Sequence, residues 1–247
     1  MKTILGIDFG GSGIKGAPVN IEEGILTEER LRIETPERST PENVVNAIMQ
    51  IIDHFKWKGE IGLAFPALVA NGVVKSAANI DKSWINTNAS EYIHNKTGLR
   101  TFTMNDADAA GVAEMYFGEG KNNKGTVMIL TIGTGIGTAL FTSGKLFPNT
   151  EIGHIIFRGS DAELYVSDAA RKKEGLKIKH WAPRLNEFLN YLEKLFNPGL
   201  FIIGGGLSKK EEKVMKHITI KTPVKMAQLR NNAGIIGAAM FANENIS

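Results

Sequence analysis

The sequence contains no cysteine, which excludes a disulfide framework, a thiolate zinc site and a thiol nucleophile. No apolar run is long enough to cross a bilayer, and the first residues lack the profile of a secretory signal. A cytoplasmic protein without a membrane partner is the expectation. Linkers and low-complexity tracts are missing too, so any two lobes are tightly joined. There is no Gly-x-x-x-x-Gly-Lys-Ser/Thr run, which sets aside a Walker A loop. A dinucleotide fingerprint is set aside as well, because the residues after the glycine clusters read as strand rather than helix.

What is present is ordinary in bulk and uneven in detail. The 247 residues are 43% hydrophobic and 22% charged, enough for one large domain or two small ones with a substantial core. Net charge is a mild +3. The last 77 residues nevertheless hold 14 of the 29 Lys and Arg against 6 of the 26 Asp and Glu. A basic third of this kind suits a polyanion such as nucleic acid or a phosphate chain, or simply a set of solvated helix faces.

The chain is organised around Ile129-Leu-Thr-Ile-Gly-Thr-Gly-Ile-Gly-Thr-Ala-Leu140 and its echo, Ile4-Leu-Gly-Ile-Asp-Phe-Gly-Gly-Ser-Gly-Ile-Lys-Gly-Ala17. Each is an apolar β-type run, a glycine turn carrying a hydroxyl, and a second β-type run. Gly11-Ser12-Gly13-Ile14 superposes on Gly133-Thr134-Gly135-Ile136 at an offset of 122 residues, about half the chain, which suggests a duplicated core. One copy alone reads as a tight hairpin. Two copies read as a pair of phosphate cradles, since glycine lets N–H groups approach an anion and Ser or Thr adds a donor.

Between these units, strands and helices alternate, which predicts an α/β architecture with its ligand at strand ends. Strand is expected over 25–33, 60–65, 101–104 and 200–203. Helix is expected from Pro41, capped by Thr40, and over 92–96, 107–117, 161–170, 185–196, 209–217 and 233–241. Asn71-Gly72 and Ser143-Gly144 mark tight turns.

Few residues have the chemistry for catalysis. Asn105-Asp106 falls where a strand ends and a helix begins, so it is either a helix cap or a general base. Asp108 fits a first-turn acid. Glu151 and His154, with Glu163 beyond them, offer the directional donors and acceptors that grip adjacent sugar hydroxyls. Too few ligands accompany His154 for a zinc site. Gly204-Gly205-Gly206 is either a third anion cradle or a flexible loop.

Taken in order, these segments resemble the ROK sugar kinases, and within them the polyphosphate glucokinases. The resemblance rests on the first glycine unit, Ala77-Ala-Asn-Ile-Asp-Lys-Ser-Trp84, Asn105-Asp-Ala-Asp-Ala-Ala-Gly111 and Leu130-Thr-Ile-Gly-Thr-Gly-Ile-Gly137. It continues through Pro148-Asn-Thr-Glu-Ile-Gly-His154, Ile203-Gly-Gly-Gly-Leu-Ser-Lys209 and Asn232-Ala-Gly-Ile-Ile-Gly-Ala-Ala239. It implies an actin-like ATPase fold of two RNase H-like lobes with a central cleft, one lobe from 1–105 plus 232–247 and the other from 106–231. It implies Asp106 as the base for the sugar 6-hydroxyl, and Asn79, Asn105, Glu151, His154 and Glu163 as sugar ligands. Gly10, Gly11, Ser12 and Lys15 would form the first phosphate loop, Thr131, Gly133, Thr134 and Gly135 the second, with Gly204 and Gly205 a third; Asp8 would lie near Mg²⁺, through water.

Two departures stand out. Gly159-Ser-Asp-Ala-Glu163 replaces the cysteine cluster with which many ROK proteins hold zinc, so no zinc is expected. Ala67 stands where glycine is frequent. The implied activity is transfer from polyphosphate to glucose, with ATP left open as a second donor, and with a cytoplasmic homodimer as the family expectation. Lys121, Lys124, Arg171, Lys172, Lys173, Lys209 and Lys210 are candidates for tracking the donor, and nucleic acid is not expected as a partner. The alternatives are an ATP-dependent kinase for mannose or another hexose, and a non-catalytic sugar sensor.

Overall fold

A computed structural model describes residues 2–206 and 210–246. The chain divides into two compact units, Met1–Ala113 with Asn232–Ser247, and Glu114–Asn231.

The first unit opens with β1 (Thr3–Gly10) and β2 (Gly13–Asn20), an antiparallel hairpin closed by the Gly10–Gly13 pair. Short strands β3 (Ile25–Leu26) and β4 (Leu31–Ile33) both pair with β2. Helix α1 (Pro41–His54) begins at Thr40, whose side chain accepts from the Asn43 amide. Then come β5 (Ile61–Phe65), the small hairpin β6 (Val69–Ala70) and β7 (Val73–Val74), and α2 (Ala89–Thr97), ended by Gly98 at φ 75°. Strand β8 (Thr101–Asn105) runs directly into α3 (Asp106–Phe117). The sheet order is β3-β2-β1-β5-β8, with β1, β5 and β8 parallel. All five residues of β5 are buried, as expected of a parallel strand covered on both faces. One face packs Leu5, Ile7 and Phe9 against Ile48 and Ile51 of α1, with Trp84 and Ile93 in the same core.

The second unit repeats that plan. It contains β9 (Thr126–Ile132), β10 (Ile136–Thr142), β11 (Lys145–Phe147), the hairpin β12 (Ile156–Phe157) and β13 (Ser160–Asp161), α4 (Glu163–Val166), α5 (Asp168–Lys173) and α6 (Ile178–Phe196). Strand β14 (Leu200–Gly205), α7 (Glu211–Met215) and β15 (Val224–Met226) complete it. The order β11-β10-β9-β14-β15 matches the first sheet strand for strand, with β10 antiparallel to β9 and β14 parallel to it. Trp181, Leu185, Phe188, Leu189 and Leu192 of α6 close the core over Met128, Leu130, Phe201 and Ile203. The last helix, α8 (Ala233–Asn245), belongs to the first unit, and Gly6 of β1 and Gly62 of β5 let its backbone come close to the sheet.

Several elements differ from expectation. The run 25–33 is two strands, because the chain bends at Thr27–Glu28 and polar residues through Arg30 leave the sheet. The run 161–170 is not one helix: Ser167 leaves helical backbone at ψ 159° and caps α5 through the Ala170 amide. Helix α2 starts at Ala89 rather than Tyr92, because Asn88 caps it. Helix α6 reaches back through Pro183 to Ile178, since burying Trp181 and Ala182 outweighs one lost backbone bond. Expected helix 209–217 is the shorter α7, and Lys209 lies outside the described residues. The units divide within α3, between Ala113 and Glu114, eight residues beyond the expected boundary at 105/106.

Candidate active site

In the first unit the chemistry gathers at the ends of β1 and β8. Asp8 and Lys15 face each other across the β1–β2 ladder, Nζ to Oδ2 3.2 Å. Arg32 of β4 is the next residue along that row, opposite Lys15. Sequence reading missed Arg32, because only the pairing of β4 with β2 places it there. The arginine donates to the Ser12 carbonyl, and the Thr35 hydroxyl donates to the Gly10 carbonyl at 2.6 Å. With those carbonyls engaged, the turn's N–H groups are its resource for an anion. A Cβ on Gly11 would meet nothing within 4 Å, so the glycine is there for the backbone's access rather than for packing inside the unit.

Of the two readings of Asn105-Asp106, the structure shows the cap. Asn105 is the cap: its Oδ1 accepts from the Ala107 and Asp108 amides at 2.9 and 3.0 Å, and its Nδ2 donates to the Ala67 carbonyl at 3.0 Å. Asp106 is the first helical residue, with one oxygen 2.8 Å from the Ala107 amide. The cap bond and the buried setting of Asn105 make it a support for Asp106. Ala67 meets the cap through its carbonyl, so a methyl is tolerated there. Asn79 is exposed, two residues before Asp81, whose amide donates to Ser39.

In the second unit Gly133–Gly135 turns β9 into β10, and the Gly133 carbonyl accepts from the Ala169 amide of α5 at 3.1 Å. Glu163 lies over this turn and accepts from the Ile136 amide at 3.2 Å. A Cβ on Gly135 would stand 2.4 Å from its carboxylate. Thr131 lies beside Gly204 in the β9–β14 ladder, and Ile132 beside Gly205. Gly205 has φ 84° and passes so close to Ile132 that any Cβ would collide with its carbonyl; this glycine is a packing requirement of the sheet.

The short turn Ile152–His154 carries the sugar-ligand candidates. Thr138 anchors it, donating to the Thr150 carbonyl at 2.7 Å and accepting from the Ile152 amide at 3.2 Å. His154 Nδ1 is 2.9 Å from Asp161 Oδ2, and its Nε2 is 3.9 Å from Glu151 Oε2. Burial holds the Glu151 carboxyl above its ordinary range, against the pull of His154. The hydrogen bond to Asp161 raises the His154 imidazole above its usual value, and Glu163 and Glu151 add to the effect. Asp161 was not among the expected site residues; the β12–β13 pairing brings it back to the histidine.

A cleft of about 520 Å³ is lined by Glu119, Glu211, Val224, Lys225, Met226, Ala227, Gln228 and Arg230. Glu119 binds Lys225 in its wall at 2.6 Å, which lowers the carboxyl's pKa. Of the basic candidates, Arg171 and Lys172 both bind Asp168, at 2.6 and 2.9 Å. Arg171 also donates to the Leu176 carbonyl, so it closes the end of α5. Lys121, Lys124, Lys173 and Lys210 are exposed.

Among the described residues no three His, Asp or Glu side chains converge as a metal cage. Asp8, one hard oxygen donor beside a phosphate-type turn, suits the cation that keeps most of its water and is shared with substrate phosphates, namely magnesium. No helix among the described residues is long and apolar enough to cross a membrane.

Comparison with known proteins agrees with this layout. The polyphosphate glucokinase of Mycobacterium tuberculosis is 45% identical over 236 residues, spanning 95% of this chain and 89% of the relative. The crystal structure of inorganic polyphosphate/ATP-glucomannokinase from Arthrobacter sp. strain KM superposes with a TM-score of 0.94 at 41% identity, over 99% of this chain and 100% of the other. A ROK family glucokinase from Streptomyces griseus shares the fold at TM-score 0.84 and 24% identity, over 99% and 100% of the two chains. The ROK family matches residues 4–172, and with two α/β units of one strand order the chain belongs to the ROK family and has its actin-like fold.

Proposed function

We propose that this protein phosphorylates glucose at its 6-hydroxyl, taking the phosphoryl group from inorganic polyphosphate and also from ATP. The observation that carries this reading is the 45% identity, across nearly the whole chain, to a polyphosphate glucokinase. The site residues have the chemistry the reaction needs. Asp106 accepts the hydroxyl proton as the sugar oxygen attacks the terminal phosphorus. The bond from that phosphorus to the bridging oxygen breaks, and a polyphosphate one unit shorter leaves, or ADP. Glu151, His154 and Glu163 hold the sugar hydroxyls, with Asn79 and Asn105 as further ligands. The turns at Gly10–Ser12 and Gly133–Gly135, with Lys15, Arg32, Thr131 and Gly204, steady the phosphates. Asp8 would hold magnesium through water, and the ion would supply charge neutralisation on the phosphates.

Lys121, Lys124, Lys173 and Lys210 are the exposed cations offered to the long donor. Raising salt from about 0.05 to 0.5 M therefore lowers kcat/KM for polyphosphate several-fold more than for ATP, because the Debye length shrinks to a few ångströms. Initial rates with each donor across a salt series check this; equal sensitivity of the two donors removes the lysine track. We place the enzyme in the cytoplasm as a homodimer. The deciding assay is glucose 6-phosphate formation with purified polyphosphate as sole donor, beside ATP and beside mannose as acceptor. Turnover with ATP alone marks an ATP-dependent hexokinase, and sugar binding without turnover marks a sensor.

A further inference from the structure

The reading above gives His154 a direct contact with sugar; it leaves open what decides which of the ring's nitrogens faces the substrate and in which protonation state. The β12–β13 hairpin answers from its geometry. Arg158 and Gly159 form its turn, both at positive φ, 54° and 85°. Arg158 binds Glu187 of α6, Nη2 to Oε1 2.7 Å, and Phe157 is buried with its ring 5.3 Å from that of Phe188. The Tyr165 ring is met by two guanidiniums, Arg184 at 4.3 Å and Arg158 at 5.5 Å. Arg184 in turn binds both oxygens of Glu174, at 2.8 and 2.6 Å. A hairpin of two residues per strand has little stability alone. Anchored in this way to α6, it presents Asp161 at a fixed point, 2.9 Å from His154 Nδ1.

We propose that Asp161 is a positioning residue for sugar binding: it holds a proton of His154 on Nδ1 and leaves Nε2 for the substrate, an acceptor when the ring is neutral and a donor when it is protonated. This rests on the glucose-kinase reading only for the meaning of Nε2; the ring's state is a property of the protein itself. The chemistry is direct. A carboxylate accepts and does not donate, so the atom facing Asp161 must carry the hydrogen. Three carboxylates act on the ring's charge, Asp161 from the hairpin by its hydrogen bond, and Glu163 of α4 and Glu151 of the same turn by their charge, and together they favour its charged form. The ring therefore becomes a donor at Nε2 when protonated and an acceptor when neutral, without turning over.

The test is a nitrogen-15 NMR titration of the five histidines, with the His154→Gln spectrum identifying the signal, on wild type, Asp161→Asn and Asp161→Ala. In wild type the neutral ring carries its proton on Nδ1 and titrates above the ordinary histidine value. Asn at 161 keeps an acceptor and drops the charge, so the tautomer persists while the midpoint falls. Ala loses both, and the glucose KM rises roughly ten-fold, the weight of one charge-assisted hydrogen bond, with the KM for the phosphate donor unchanged. An Nε2-protonated neutral ring in wild type, one midpoint shared by all three proteins, or an equal rise in both KM values overturns the proposal. Failure of the glucose-kinase reading is seen separately, as absence of turnover in wild type while the ring signals still report on Asp161.

Discussion

Replacing Asp106 with Asn lowers kcat for glucose phosphorylation by about a hundred- to ten-thousand-fold, the range supplied by a positioned general base. The substitution is nearly isosteric, and the structure says what it leaves alone. Helix α3 is capped by Asn105, not by Asp106, so both of the cap's amide bonds survive. The bond from the Ala107 amide to Asp106, 2.8 Å, is one an asparagine oxygen accepts equally well. What disappears is a basic oxygen for the hydroxyl proton. The thermal midpoint therefore moves by no more than a few degrees, and the glucose KM changes little against the fall in kcat, the pattern of an interaction made in the transition state. Steady-state kinetics beside a melting curve read both quantities. A variant that keeps its kcat would take the base away from position 106; one that unfolds would make the carboxylate structural.

The cap at Asn105 shows how far the sequence could be read. Asn105-Asp106 was visible as a strand-to-helix junction with two competing meanings, cap and base; the structure gives the cap to Asn105 and puts Asp106 at the first helical position. The duplicated glycine turns were legible because their spacing repeats at short range. The two sheets then share one strand order, which no local pattern displays. Arg32 and Asp161 were not legible. Each acquires its role through the register of a strand of three residues or fewer, β4 on β2 and β13 on β12, and such pairings are fixed by tertiary packing rather than by propensity. The same holds for Ser167, whose amide closes one helix on the Glu163 carbonyl and whose hydroxyl starts another where the pattern of apolar residues runs on unbroken. Arg171 shows the converse: a basic residue read as facing a polyanion closes α5 on Asp168 and Leu176.

The largest expected loss of stability comes from a residue with no polar chemistry. A Cβ on Gly62 of β5 would stand 1.9 Å from the carbonyl oxygen of Ala238, and one on Gly6 of β1 would stand 2.0 Å from that of Ile235. Helix α8 therefore lies on the sheet backbone to backbone. At Gly237 it meets α3 in the same way, with a Cβ there falling 1.7 Å from the Ala109 carbonyl. Because the obstructing atoms are main chain, no rotamer change relieves the clash; the helix must move. Gly62→Ala thus costs about 3 kcal/mol or more, the upper end of core overpacking, or about 6–12 °C in Tm for a protein of this size. Gly199→Ala is the control, since its Cβ finds only the Thr126 carbonyl at 3.7 Å, and it shifts stability by no more than about 0.5 kcal/mol. Chemical denaturation of both variants measures the contrast. The damage also reaches chemistry, because β5 lies between β1, which carries Asp8, and β8, which ends at Asn105, while Gly237 fixes the helix that begins with Asp106. Folded Gly62→Ala protein accordingly loses kcat as well as stability, and equal stability of the two alanine variants would mean that α8 can slide on the sheet without cost.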